Sequence, residues 1–425
     1  MNQQPLLKVG IFSDVQAYDV REDWGMSNMV KALQILAPFK PDVFLNAGDI
    51  ADLADYHGAL KLYREIFREF FPGGEPQHVI CAGNHDVWGT KNQTLPEMFD
   101  SFCQNIGIPH DEVCHTVVKG YDFIAITDEH CDDYTAPKLA RVKELLDEAT
   151  ARDPQKPVFI VTHHPPANTV AGSYDRHGKK NLRELFNHYP QVVSFSGHTH
   201  YPTEDERAIW QKEFTAVTTS TLSYGCIKEG FFNTCNSILP FAREAIQALY
   251  MEVFADKIVI RRFNVADQCE LKPQNVWQIA LPCDPEHPQY GDDRALSRVA
   301  PEFPADAQAV LRYDYGFAYI IFDAAKHDDF VKSYLIKATV KQDDGTWKES
   351  APVKYVADFY RMKCHRTNRE FFKLPHDLLT PGKLTRLEIY PQESFGKIGE
   401  PLVLERVIPG TWSFRPFDPL SAPQE

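Results

Sequence analysis

The run His78-Val79-Ile80-Cys81 leads straight into Ala82-Gly83-Asn84-His85-Asp86. The first four residues read as a buried strand, and the turn after them carries an amide, an imidazole and a carboxylate together. Gly and Asn are ordinary residues for a strand exit. The trio beyond Gly83 is poor packing material, yet it suits metal or phosphate chemistry. What flanks this turn decides whether it is more than punctuation.

Outward in both directions the pattern repeats. Leu6 to Phe12 reads as a strand ending at Ser13-Asp14-Val15-Gln16, and Asp42 to Asn46 as one ending at Ala47-Gly48-Asp49. Between them Met26, Met29, Val30, Leu33 and Leu36 fall at helical spacing, and a second helix is expected over about 56–71. Tyr121 to Ile126, Pro157 to Val161 and Val192 to Ser196 are further strands. The last two end at Thr162-His163-His164-Pro165-Pro166 and Gly197-His198-Thr199-His200. Helices are expected over about 139–149 and 181–187. Strands alternating with helices predict an α/β layer architecture, in which ligands gather beyond the carboxyl ends of the strands.

From about Phe214 the chain reads as sheet, with a hairpin turn near Ala255-Asp256. Pro273, Pro282, Pro285, Pro288 and Pro301 then crowd a stretch that reads as a connection between domains. Beyond it Phe317 to Phe322, Tyr334 to Val340, Val353 to Tyr360 and Leu384 to Tyr390 are expected strands, with Asp343-Asp344-Gly345 as a hairpin turn. Strands at this spacing predict a small β-sandwich. The expected domains are therefore 1–268, a connection over 269–303, and 304–425.

A chain of 425 residues exceeds one typical core. The formal net charge of −14 argues against a nucleic-acid polymer as partner, because such binding needs Lys and Arg on phosphates. A small phosphorylated substrate stays open, since metal ions supply local positive charge. The nine cysteines are scattered, without a C-x-x-C pair, as expected of small buried hydrophobes in a reducing compartment. No stretch approaches the ~18 apolar residues of a membrane span, and Met1-Asn2-Gln3-Gln4-Pro5 starts no visible leader, so a cytoplasmic location is expected. Neither G-x-x-x-x-G-K-[ST] nor G-x-G-x-x-G occurs, which disfavours nucleotide motors and dinucleotide enzymes.

Five strand ends thus carry the polar residues: Asp14 with Gln16, Asp49, Asn84 with His85 and Asp86, His163 with His164, and His198 with His200. Any one of them is an ordinary cap or turn residue. The ordered series is not explained that way. Carboxylate and amide oxygens with imidazole nitrogens suit two divalent metals such as Mn, Fe, Zn or Ni. One carboxylate can bridge such a pair at ~3.5–4 Å.

The series resembles the calcineurin-like metallophosphoesterase superfamily, whose pattern is D-x-H, G-D, G-N-H-[DE], H and G-H-x-H. Here it stands as Asp14-Val15-Gln16, Gly48-Asp49, Gly83-Asn84-His85-Asp86, His163 and Gly197-His198-Thr199-His200. The resemblance spans about residues 6–265 and implies two packed mixed β-sheets flanked by helices. It implies that Asp14, Asp49 and His200 hold one metal, with Gln16 where a histidine is usual. Asp49, Asn84, His163 and His198 would hold the other, Asp49 bridging. An amide oxygen is a weaker ligand for zinc and better suited to Mn, so the first metal is expected to bind less tightly. The D-x-Q variant is similar to that of manganese-dependent ADP-ribose/CDP-alcohol diphosphatases.

The implied reaction is hydrolysis of a phosphoester or phosphoanhydride, with a nucleotide-type phosphodiester or diphosphate among the expected substrates, by a hydroxide bridging the metals. His85 is expected to protonate the leaving group and Asp86 to orient its ring. Arg176, Tyr174 and His164 are the expected substrate contacts, Arg176 forking onto a phosphate and Tyr174 stacking on a base. A cyclic-nucleotide phosphodiesterase shares all these ligands, and a weakly active metal-bound scaffold is the alternative outside enzymes. The C-terminal part resembles a fibronectin type III-like sandwich, with packing appendage as the simpler role and gating or partner binding as the other.

Overall fold

The computed structural model describes residues 4–53, 57–88, 94–127, 133–174, 177–227, 239–314 and 316–410. The chain divides into two compact units, the first reaching Arg294 and the second running from Ala295. In the first unit, period-2 alternation sorts each strand between two cores. Along β1 (Leu7–Phe12), Leu7, Val9 and Ile11 enter one buried cluster while Phe12 enters another. β2 (Val43–Asn46) does the same, with Val43 and Leu45 on one face and Phe44 on the other.

β1, β2 and β3 (Gln77–Ile80) are parallel neighbours. The second sheet is built from β4 (Val113–Val118), β5 (Tyr121–Ile126), β6 (Val158–Thr162), β7 (Val192–Ser196), β8 (Ile209–Gln211) and β9 (Thr215–Thr218). Its order is β4-β5-β6-β7-β9-β8, with β5, β6, β7 and β9 parallel. β10 (Gln247–Val253) and β11 (Lys257–Asn264) return antiparallel beside β1. Their hairpin closes where Phe254 N–H donates to the Lys257 carbonyl at 2.8 Å.

The central cluster takes Ile11, Leu45 and Met251 from one sheet and Phe123, Phe159 and Phe195 from the other, so the sheets pack face to face. Outside the first sheet lie α1 (Trp24–Leu36) and α2 (His57–Phe70), burying Met29, Leu33, Tyr63 and Phe67. Outside the second lie helices Ala136–Arg152 and Lys180–Phe186, burying Val142, Leu146 and Phe186. The result is an α/β fold of two mixed sheets flanked by helices.

The Pro-rich stretch differs from its expectation as a bare connection. Cys269–Leu271 and Trp277–Ala280 both pair antiparallel with β11, extending the first sheet to seven strands. Trp277 and Ile279 point into the central core while Gln278 and Ala280 face out. Pro273 and Pro282 lie just outside these strands, where no ladder N–H is required.

The second unit is all-β. One sheet joins Ala309–Asp314, Phe317–Asp323 and Arg369–Lys373. The other pairs Ser333–Lys341 with Leu384–Gln392, which in turn pairs with Leu402–Val407. Ile320 and Phe322 from the first meet Tyr334, Ile336, Leu387 and Ile389 from the second in one core. Among the described residues no disulfide forms, and no helix is long and apolar enough to cross a membrane.

Candidate metal centre

Five candidate ligands stand on left-handed backbone: Asp14 (φ 51°), Gln16 (φ 46°), Asp49 (φ 55°), His198 (φ 64°) and His200 (φ 50°). For a residue with a Cβ this region costs roughly 1–2 kcal/mol. Strain of this kind persists only where surrounding contacts over-determine it. Here the contacts are explicit. Asp14 N–H donates to the Gly48 carbonyl and Gln16 N–H to the Asp49 carbonyl, each at 2.9 Å, locking the first two strand exits together.

The glycines of the motif answer to the same crowding. A Cβ on Gly83 would lie 2.2 Å from Asp49 Oδ1, and one on Gly197 would lie 2.4 Å from Asp14 Oδ2. The strain at Gln16 is measurable by itself. Gln16→Gly is expected to resist urea by about 1 kcal/mol more than Gln16→Ala, both metal-free, because only the alanine keeps the Cβ. Equal unfolding free energies would show that this φ carries no cost.

The side chains form one net. One oxygen each of Asp14 and Asp49 and one His163 nitrogen lie within 4.8 Å of one another. Asp49 Oδ2 is 3.2 Å from His163 Nε2, and Asn84 Oδ1 is 3.0 Å from that nitrogen and 3.1 Å from His198 Nδ1. His200 Nε2 is 3.0 Å from Asp14 Oδ1. Gln16 is 7% exposed, and the nearby Tyr224 ring lies 4.5 Å from that of His200.

The proton bookkeeping of these rings tests whether a cation fits. His163 Nδ1–H donates to the Ala47 carbonyl at 2.7 Å, and His200 Nδ1–H to the Tyr224 carbonyl at 2.7 Å. In the neutral rings, both Nε2 lone pairs therefore face carboxylate oxygens. Lone pair against lone pair is repulsive unless a cation lies between, and backbone-fixed Nδ1–H is how metal-binding histidines are oriented. The donor set fits divalent metal.

The electrostatics of the metal-free site differ from group to group. Burial opposes ionisation of Asp49, but the nearby His163, His85 and His198 outweigh it and hold its carboxyl well below the usual range. Burial, then the neighbouring His164 and His163, drives His198 well below the usual imidazole value, so its ring stays neutral. Burial also disfavours a charged His200, yet the Asp14 carboxylate overcomes this and raises it.

Asp86 has a different place from the one expected. It does not reach the His85 ring. Its Oδ2 accepts the N–H of Asp49 (2.7 Å) and Gly83 (2.9 Å), and its Oδ1 those of Ile50 and Ala51 (both 2.9 Å). The carboxylate thus sews the Asp49 turn to the Gly83 turn. Burial and the Asp49 carboxylate push it up to about 7, even though these backbone N–H groups favour its charged form. The orienter of His85 is instead Asp52, whose carbonyl accepts Nδ1–H at 2.6 Å. His85 N–H is held by Asp49 Oδ1 at 2.8 Å, and its Nε2 lies 4.0 Å from Asp49 Oδ2.

Of the expected substrate contacts, His164 is buried and its ring centroid lies 3.7 Å from that of His198. Tyr174 is exposed, and Arg176 lies outside the described residues. His177, which sequence pattern does not single out, brings Nδ1 to 2.8 Å from His198 Nε2. No local signal marks it, for Tyr174 to His177 reads as a solvated loop.

Residues 7–202 match the family model described as calcineurin-like phosphoesterase. No curated protein matches the sequence. Among solved structures, the chain is similar to a dimetal phosphatase from Danio rerio, at 12% identity and TM-score 0.43, covering 65% of this chain and 99% of that one. It is also similar to a purple acid phosphatase from yellow lupin (Lupinus luteus) seeds, at 14% identity and TM-score 0.48, covering 65% of this chain and 55% of that one. A human fibronectin type III domain is similar over 30% of this chain and 88% of its own length, at 15% identity and TM-score 0.15.

Proposed function

We infer that this chain, whose residues 7–202 form a calcineurin-like phosphoesterase domain, is a metal-dependent phosphohydrolase working with two divalent ions. The observation that carries the two-ion reading is the position of buried Asp49 in the net. One of its oxygens lies within 4.8 Å of Asp14, whose Oδ1 is 3.0 Å from His200 Nε2, and its Oδ2 is 3.2 Å from His163 Nε2, which with His198 Nδ1 neighbours Asn84 Oδ1. We assign Asp14, Asp49, His200 and Gln16 to one ion and Asp49, Asn84, His163 and His198 to the second. Gln16 offers a neutral, hard oxygen, which favours Mn at the first position. Bound divalent ions supply Lewis acidity: they lower the pKa of water toward neutrality and offset phosphoryl charge.

The protein's own groups do the rest. Asp86 fixes the two turns that bear Asp49 and Asn84, a positioning role. With Nδ1–H committed to the Asp52 carbonyl, His85 gains and loses its proton at Nε2, and there it donates to the leaving oxygen. The substrate class supported is a phosphate ester or anhydride. The second unit is read as a fibronectin type III-like packing module.

The test is hydrolysis of p-nitrophenyl phosphate, bis-p-nitrophenyl phosphate and a nucleoside diphosphate across Mn, Fe, Zn and Ni. Turnover with Mn that vanishes on chelation is expected. Silence with every metal and every ester would sink the reading and favour the scaffold alternative.

A further inference from the structure

A sixth strand end closes on the centre behind Asp14. After β9 the chain turns at Ser220 on left-handed backbone (φ 62°). Leu222 N–H donates to the Ser13 carbonyl at 3.1 Å and Thr221 Oγ1 to the Asp14 carbonyl at 3.2 Å, so this turn is sewn to the end of β1. Ser13, Asp14, Thr219, Ser220 and Thr221 are all fully buried.

Each hydroxyl has one proton to give, and counting them fixes a direction. Ser13 Oγ–H donates to Asp14 Oδ2, with the Ser220 carbonyl, at 3.3 Å, the weaker competitor. With that proton spent, the 2.6 Å contact between Ser13 Oγ and Thr219 Oγ1 needs the threonine's. Thr219 Oγ1 also lies 3.0 Å from the Ser196 carbonyl, but that oxygen already accepts the Thr219 N–H at 2.8 Å. A proton given there would leave two hydroxyl oxygens 2.6 Å apart with no hydrogen between them. Thr219 therefore donates to Ser13, and Ser13 to Asp14. The other carboxylate oxygen, Oδ1, faces His200 Nε2 at 3.0 Å, and the His198 N–H lies 3.2 Å from either oxygen.

We propose that Thr219 and Ser13 form a hydroxyl relay that positions Asp14, holding Oδ2 so that Oδ1 is left with His200 to take the first ion. Both act through Asp14 and are positioning residues. A buried valine would serve in place of Thr219 if packing were its whole role. The inference rests on the two-ion reading and deepens it, since partners behind a ligating carboxylate set metal affinity by about 10–100-fold.

Calorimetry of Mn binding to the metal-free full chain tests the relay. Gln16→Ala identifies which step belongs to the first ion. Thr219→Val keeps the shape and removes the proton, and is expected to weaken that same step about tenfold while leaving the other within about twofold. Thr219→Ser keeps the hydroxyl and should bind Mn as the wild type does. Ser13→Ala should lose at least as much as Thr219→Val. The double variant should be no weaker than Ser13→Ala alone, because Thr219 acts only through Ser13. Wild-type affinity in Thr219→Val, equal losses in Thr219→Ser and Thr219→Val, or additive losses in the double variant would each overturn the relay. A wild type that takes up fewer than two Mn ions is a separate failure, that of the two-ion reading.

Discussion

Asp49→Asn is expected to lower kcat/KM by a factor on the order of 10⁴ or more at saturating Mn, the largest loss of any single substitution in the centre. Asparagine keeps the shape but replaces one oxygen by an N–H donor and removes the charge. Asp49 uses both oxygens: Oδ1 accepts His85 N–H at 2.8 Å, and Oδ2 faces His163 Nε2 at 3.2 Å. In the proposed centre the same carboxylate would be shared by both ions, so a neutral amide would weaken both sites at once. The fold is expected to survive. Asp49 is 1% exposed, and burying a neutral amide costs less than burying a carboxylate. Because His163, His85 and His198 hold the Asp49 carboxyl below its usual range, its charge favours the metal-free fold, and the variant should melt modestly below the wild type while still unfolding cooperatively. Metal content should fall below two ions per chain. A variant with wild-type metal content and a tenth of the activity would remove Asp49 from the bridging position.

The sequence pattern was most legible where apolar alternation and strand ends coincide. β1, β2, β3, β6 and β7 are apolar runs, and each is followed by polar residues of the candidate centre. β4 was not anticipated. Its Cys114, His115 and Thr116 dilute the apolar pattern, and it lies at the sheet margin with alternate residues exposed. Cys269–Leu271 and Trp277–Ala280 were hidden by their prolines. The helix Leu95–Ile106 was not anticipated either, although Thr94 and Glu97 form a capping box at its start.

Within the site, residue type was legible and partnership was not. Asp86 and Asp52 are both carboxylates near His85, but only the fold puts the Asp52 carbonyl on the ring and Asp86 on the backbone of the neighbouring turn. The left-handed backbone at Asp14, Gln16, Asp49, His198 and His200 is likewise invisible in sequence. None is a glycine, the usual mark of such a conformation.

His85→Ala should separate leaving groups by their chemistry. If Nε2–H protonates the departing oxygen, its removal hurts most when that oxygen is strongly basic. Hydrolysis of an alkyl phosphate ester is expected to slow by about 10²–10⁴. A p-nitrophenyl ester, whose leaving phenolate is stable without a proton, should slow by roughly tenfold or less. Metal content should be unchanged, because the His85 ring donates to the Asp52 carbonyl and lies outside the proposed ligand sets. The backbone bond from His85 N–H to Asp49 Oδ1 survives the substitution, so the Asp49 carboxylate keeps that anchor. A merely structural role would slow both esters alike. Equal losses with the two leaving groups would therefore reassign His85 from proton donor to support for Asp49.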